Sequence, residues 1–159
     1  MPRDISWSVA LMLDLTIVFN GRIPSKKNNQ TMIPKGNKRI IVASKAYKLW
    51  EKAAIEDDLY GISPVKWKRF RCEMTIFAPD LIDADLSNKW EGLADAMVKA
   101  GIVRTDDWWQ MSGVNQIFGG LDRENPRAVV KIWELIEALP GDVEKAIAQA
   151  KTAKRKATL

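Results

Sequence analysis

Four aspartates bracket one amphipathic stretch of a chain that is otherwise basic. Asp83 and Asp85 precede the stretch and Asp106 and Asp107 follow it, within LIDADLSNKWEGLADAMVKAGIVRTDDWW, Leu81 to Trp109. There is no histidine. That excludes Ser-His-Asp triads, Cys-His dyads and His-based metal motifs. Cys72 is the single cysteine, so no cysteine zinc site or internal disulfide can form. It alternates with apolar residues in a strand-like run and reads as a buried small hydrophobe. Carboxylate, lysine, serine and tyrosine remain, and hard carboxylate oxygens suit Mg²⁺. Each acid also has an ordinary reading: Asp85 as a helix N-cap, Asp83 as a turn residue, and Asp106 and Asp107 as a surface turn beyond Gly101.

The formal net charge is +5, and its distribution matters more than its size. From Leu15 to Trp50 there is no acidic residue, against Arg22, Lys26, Lys27, Lys35, Lys38, Arg39, Lys45 and Lys48. Lys66, Lys68, Arg69 and Arg71 form a second cluster, and Lys151, Lys154, Arg155 and Lys156 a third. Such clusters suit a polyanionic partner, nucleic acid first, or a plainly solvated surface. No apolar run approaches the roughly 18 residues that a membrane span needs. Asp14 interrupts the apolar residues near the N-terminus, which argues against a signal peptide. The expectation is a soluble intracellular protein.

The elements that would position the acids follow from periodicity. Leu13, Leu15, Ile17 and Phe19 alternate with Asp14, Thr16 and Val18, which predicts a strand. The next segment, NGRIPSKKNNQTMIPKGNKR, is rich in Gly, Pro, Asn and Lys and reads as a long loop before a short strand, RIIVA. Ser44 suits the N-cap of a helix over Lys45–Leu59, with Tyr47, Trp50 and Ala54 on one face. Phe70, Cys72, Met74, Ile76 and Ala78 alternate with Arg69, Arg71, Glu73 and Thr75, predicting a strand whose basic face meets solvent or DNA. Leu86, Trp90, Leu93 and Met97 line one face of a helix ending near Gly101. WWQMSGVNQIFGGLD and PRAVVKIWELI read as two strands joined by the turn DRENP. The order β-β-α-β-α-β-β, with a possible C-terminal helix, predicts an α+β domain, two main helices packed on a mixed sheet. The expected domain is 11–136, and 137–159 a basic helix or tail.

A helix of this length spans about 22 Å, so Asp83 and Asp106 meet only if the chain doubles back after Gly101. Parallel and antiparallel return strands carry the acids differently, and the sequence leaves both open. On a helical wheel Lys89 falls at the edge of the apolar face, Glu91 further round, and Asp95 nearly straight out. Lys89 is therefore the helix charge best placed to reach a site at the helix start, unless it is a rim lysine whose head snorkels to solvent.

Three segments together resemble the RusA-type Holliday junction resolvases, small endonucleases often encoded by phages and prophages. DADLSNKWEGLADAMVKAGIVRTDD is similar to the family's D-x-D, lysine-bearing helix and D-D pair. GRIPSKKNN resembles its N-terminal Pro-Ser-x-Asn loop, and ASKAYKLW the helix start after it. FGGLDRENPRAVVKIWE is similar to the final hairpin of phage members. The sequence departs from the pattern at Leu86, where the family usually has Asn directly after the second Asp; here Asn88 comes two residues later. Two registers follow. Either Asp83 and Asp85 are the acid pair with Lys89 as the helix lysine, or Asp85 and Ser87 occupy those places with Glu91 replacing the lysine. The first keeps every charge. The second implies weak or absent nuclease activity.

The resemblance implies Mg²⁺-dependent phosphodiester hydrolysis, with Mn²⁺ as a substitute. It makes Asp83, Asp85 and Asp106 or Asp107 metal ligands and Lys89 a partner of the phosphate. It further implies paired cuts in a four-way DNA junction by a homodimer, in the cytoplasm of a bacterial host. Lys26, Lys27, Asn28, Asn29, Lys38, Arg39, Arg69 and Arg71 are the expected DNA contacts. Most of the seven tryptophans are expected in the core, with Trp108 or Trp109 at a dimer interface or against DNA. A nuclease for flap or other branched DNA, and a junction-binding protein without catalysis, are the alternatives.

Overall fold

The computed structural model describes residues 14–27, 30–82, 85–107, 110–135 and 141–157. The fold is α+β, as the periodicity predicts. Strand β1 (Asp14–Asn20) is followed by β2 (Gln30–Lys35) and β3 (Lys38–Ala43). Helix α1 (Lys45–Ala53) runs into a π-helical turn at Ala54–Asp58. Then come β4 (Phe70–Ala78), α2 (Leu86–Lys99), β5 (Met111–Leu121), β6 (Arg127–Glu134) and α3 (Gly141–Ala157). No described helix is long and apolar enough to cross a membrane.

The main sheet has the order β1-β6-β4-β5. Its central strand β4 pairs antiparallel with β6 and parallel with β5. Phe70, Cys72, Met74 and Ile76 of β4 are buried on one face. They meet Ile17 and Phe19 of β1, Val130 and Ile132 of β6, and Leu93 and Met97 of α2 in one core. The link from β4 through α2 to β5 is the helical crossover that parallel strands require. Gly101, at φ +74°, lets the chain leave α2. Gly101 N–H donates to the Val98 carbonyl and Ile102 N–H to that of Met97, closing the helix end.

The segment expected as a long loop after β1 contains a strand. β2 and β3 form a separate two-stranded ribbon around Gly36 and Asn37, with Gly36 at φ +60°. Pro34 lies within β2 although proline cannot donate to a ladder. In a two-residue hairpin closed by Lys35 and Lys38, the next pair, Pro34 with Arg39, is one that exchanges no hydrogen bonds. Proline therefore costs this ribbon nothing. At the foot of the ribbon Ser44 caps α1, its hydroxyl accepting from Tyr47 N–H at 3.1 Å, as the sequence suggested. The helix expected to run regularly to Leu59 is α-helical only to Ala53 and widens into the π-helical turn.

Candidate functional site

The strand β4 ends at Ala78, and Pro79 and Asp80 carry the chain toward α2. At this end of the sheet β1 also finishes, because both β1 and β4 run antiparallel to β6. The residues after β1 therefore reach the start of α2. Arg22 pairs with Asp80 through both guanidinium arms, one at 3.1 Å. Asp80 also accepts from Ile82 N–H at 2.9 Å. The Arg22 hydrogen bonds come first among the causes that hold the Asp80 carboxyl below its ordinary value of 3.8, then the Ile82 amide; the Lys89 charge adds to them.

Asp85 is the N-cap of α2. Its Oδ1 accepts from the backbone N–H of Ser87 (3.0 Å) and of Asn88 (3.3 Å), and its Oδ2 from the Asn88 amide (2.7 Å). The ordinary reading of Asp85 is thus realised. The carboxylate nonetheless stays exposed, and one of its roughly four lone-pair sites remains for another partner. Asn88 Oδ1 is buried without a partner among the described residues.

Lys89 is only 5% exposed, so it is no snorkelling rim lysine. Its ammonium donates to the Ile23 carbonyl at 2.8 Å. Lysine is among the residues least often buried, because taking an ammonium out of water is costly. A cavity of about 250 Å³ opens beside it. Ile76, Ala78, Leu86 and Phe118 form its apolar wall, and Asp80 and Lys89 also line it. The Lys89 ammonium and the Asp80 carboxylate that Arg22 holds thus line one apolar hollow at the start of α2.

The other two acids are elsewhere. The parallel register places Met111 opposite Phe70, so β5 begins where β4 begins. The Asp107 carbonyl accepts from the N–H groups of Gln110 and Met111, and Phe70 N–H donates to the Gln110 carbonyl, which fixes this corner. Asp106 is exposed and Asp107 half-buried here. Between this corner and Asp85 lies the whole of α2, 14 residues, or about 20 Å. Two ligands of one Mg²⁺ lie within a few ångströms of each other. Asp85 therefore cannot share an ion with Asp106 or Asp107 of the same chain. Among the described residues no group of three potential ligands closes on a common point. Asp83 lies outside the described residues, as do Asn28, Asn29, Trp108 and Trp109.

The expected DNA contacts divide into three groups. Lys26 pairs with Asp95, and Lys27 lies 3.9 Å from Glu91, so both tie the segment after β1 to α2. The Asp95 hydrogen bond raises the Lys26 pKa, which keeps that pair charged. Lys38 and Arg39 stand on the ribbon. Arg69 Nε donates to Ser112 Oγ at 3.1 Å. Arg71 is half-buried, its side chain 3.5 Å from where a Cβ on Gly113 would sit. The strand face bearing Arg69 and Arg71 thus lies partly against β5. Cys72 is fully buried, and burial pushes its thiol up to about 12, as expected of a structural cysteine.

Arg22 and Asp80 also belong to this site, and the sequence did not single them out for it. Asp80 directly follows a strand-ending proline, which reads as an ordinary turn. Its partner Arg22 lies 58 positions away, and only the antiparallel pairing of β1 and β4 with β6 brings the two together. The chain matches no family model, and comparison with curated proteins finds no match.

Proposed function

We propose that the protein is a Mg²⁺-dependent, structure-specific endonuclease that cuts branched DNA, four-way junctions first, as a two-fold dimer. The observation that carries this reading is the buried ammonium of Lys89, which lines one cavity with the Asp80 carboxylate at the start of the helix that Asp85 caps. Lys89 would meet charge developing on a phosphate that enters the cavity it lines. Asp85 lies too far from Asp106 and Asp107 of its own chain for the three to share one metal ion. In a two-fold dimer, Asp106 and Asp107 of one copy would complete the centre begun by Asp83 and Asp85 of the other. A bound Mg²⁺ would polarise the scissile phosphate and lower the pKa of the attacking water.

The test is incubation of a synthetic four-way junction with Mg²⁺ or with EDTA, against a linear duplex competitor. Cutting is expected only with Mg²⁺, surviving excess duplex, and lost in Asp85→Asn while binding persists. Equal cutting by that variant, or in EDTA, would sink the reading. Preference for flap over four-way substrates would reassign the substrate and leave the chemistry in place. The separation of Asp85 from Asp106 and Asp107 favours a second reading, junction binding without cleavage. That reading expects tight binding with no cutting under any metal condition.

A further inference from the structure

We infer that the β2–β3 ribbon is a nucleic-acid-binding arm that enters the major groove of a duplex flank, an inference that rests on the DNA reading above. Every residue of β2 is exposed, and no strand of the main sheet pairs with the ribbon. Lys35 stands directly opposite Lys38 at the tip, and Arg39 sits one pair further in. Like charges directly opposite are destabilising, and an isolated two-stranded ribbon is marginal to begin with. No acid lies between Leu15 and Trp50 to offset them. None of the three cations is in an ion pair with a described residue. Met32 and Ile41, opposite each other and 65% and 64% exposed, share a face with Pro34 and Arg39.

A cationic tip and an apolar flank on one ribbon fit a single partner. The major groove of duplex DNA is about 12 Å wide and admits a two-stranded ribbon. Its walls are phosphates, which Lys35, Lys38 and Arg39 would neutralise. Its floor carries base edges and thymine methyls, which Met32 and Ile41 would contact. Lys26 pairs with Asp95 and Lys27 lies 3.9 Å from Glu91 of α2, whereas the cations of the ribbon stand on an exposed projection with no such acid beside them among the described residues.

The experiment measures binding of the full chain to a four-way junction across a KCl series. Its variants are a triple one (Lys35→Ala, Lys38→Ala, Arg39→Ala) and a double one (Met32→Ser, Ile41→Ser). The triple variant is expected to reduce the slope of log affinity against log salt by about 2 to 3, since each neutralised phosphate contributes about 0.9. Its thermal stability is expected to hold or rise, because the like-charge pair is gone. The double variant is expected to bind about tenfold more weakly with the slope unchanged, as for lost apolar contact at about 1.4 kcal/mol per tenfold. Guanine N7 protection from dimethyl sulfate reports major-groove occupancy. It is expected with the wild-type protein and absent with the triple variant. Unchanged slope and unchanged protection in a triple variant that still binds would overturn the arm and leave the nuclease reading standing. Absence of DNA binding by the wild-type chain would overturn both.

Discussion

The Lys89 ammonium and the Ile23 carbonyl, 66 positions apart, meet at 2.8 Å in the interior. This bond fastens the segment after β1 across the start of α2, and it fixes where the buried Lys89 charge can point. Lys26 repeats the fastening on the next turns, its backbone N–H donating to the Asn88 carbonyl at 3.3 Å and its ammonium pairing with Asp95.

Replacing Lys89 by Met keeps the stem and removes the charge. The Ile23 carbonyl then loses its donor, at a cost of about 1–3 kcal/mol. If the ammonium also serves the phosphate, junction cutting per folded molecule falls by about 100-fold or more, as for loss of one preorganised electrostatic group. Thermal unfolding and single-turnover cleavage, measured on the same samples, separate the two roles. Lost stability with unchanged cutting would make Lys89 a structural tie alone.

Asp80 and Arg22 make stability depend on pH in one direction. The folded Asp80 carboxyl titrates below its ordinary 3.8. Its contribution is therefore full above about pH 3.8 and is lost as pH falls through the lower, folded value. Asp80→Asn is expected to unfold at a lower temperature than wild type at pH 6, with the gap closing below pH 3.8. A constant gap between pH 6 and pH 2.5 would show that the carboxylate charge is not what Arg22 responds to.

Much of this architecture is legible in one dimension, because burial imposes a period. The alternation in Phe70–Ala78 predicts a strand with one buried face, and that strand is the sheet's centre. Ser44 and Asp85 act as the caps their positions suggest. What the sequence could not supply is pairing sense. A parallel and an antiparallel β5 have the same periodicity, yet only the parallel one sends Asp106 and Asp107 to the far end of the sheet. The ribbon strand β2 was hidden for a related reason: its residues face solvent on both sides, so no burial period marks them.

Tyr47 and Gly92 give a test of how α1 packs on α2. The Tyr47 hydroxyl is buried with no hydrogen-bond partner among the described residues, and it sits 3.2 Å from where a Cβ on Gly92 would be. Tyr47→Phe removes an unsatisfied group and is expected to leave stability unchanged or to raise it by up to about 1 kcal/mol. Gly92→Val drives methyl groups into the same ring and is expected to cost about 1–3 kcal/mol. Chemical denaturation of both variants checks the pair. A stabilising Gly92→Val would mean that the two helices are not in this contact.

The proposed two-chain centre makes a prediction that a one-chain centre does not. Asp85→Asn alone, and Asp106→Asn with Asp107→Asn alone, should each bind junctions without cutting them. Mixed and allowed to exchange subunits, they form heterodimers. If each centre takes Asp85 from one chain and Asp106 or Asp107 from the other, one centre in the heterodimer carries every substitution and the second carries none. Cutting should then return at one of the two positions, as nicked rather than fully resolved junctions. If each centre lay within one chain, both centres of the heterodimer would be damaged and mixing would restore nothing. The length of α2, about 20 Å, makes the first outcome the expected one. Gel analysis of nicked against resolved product after subunit exchange distinguishes the two directly.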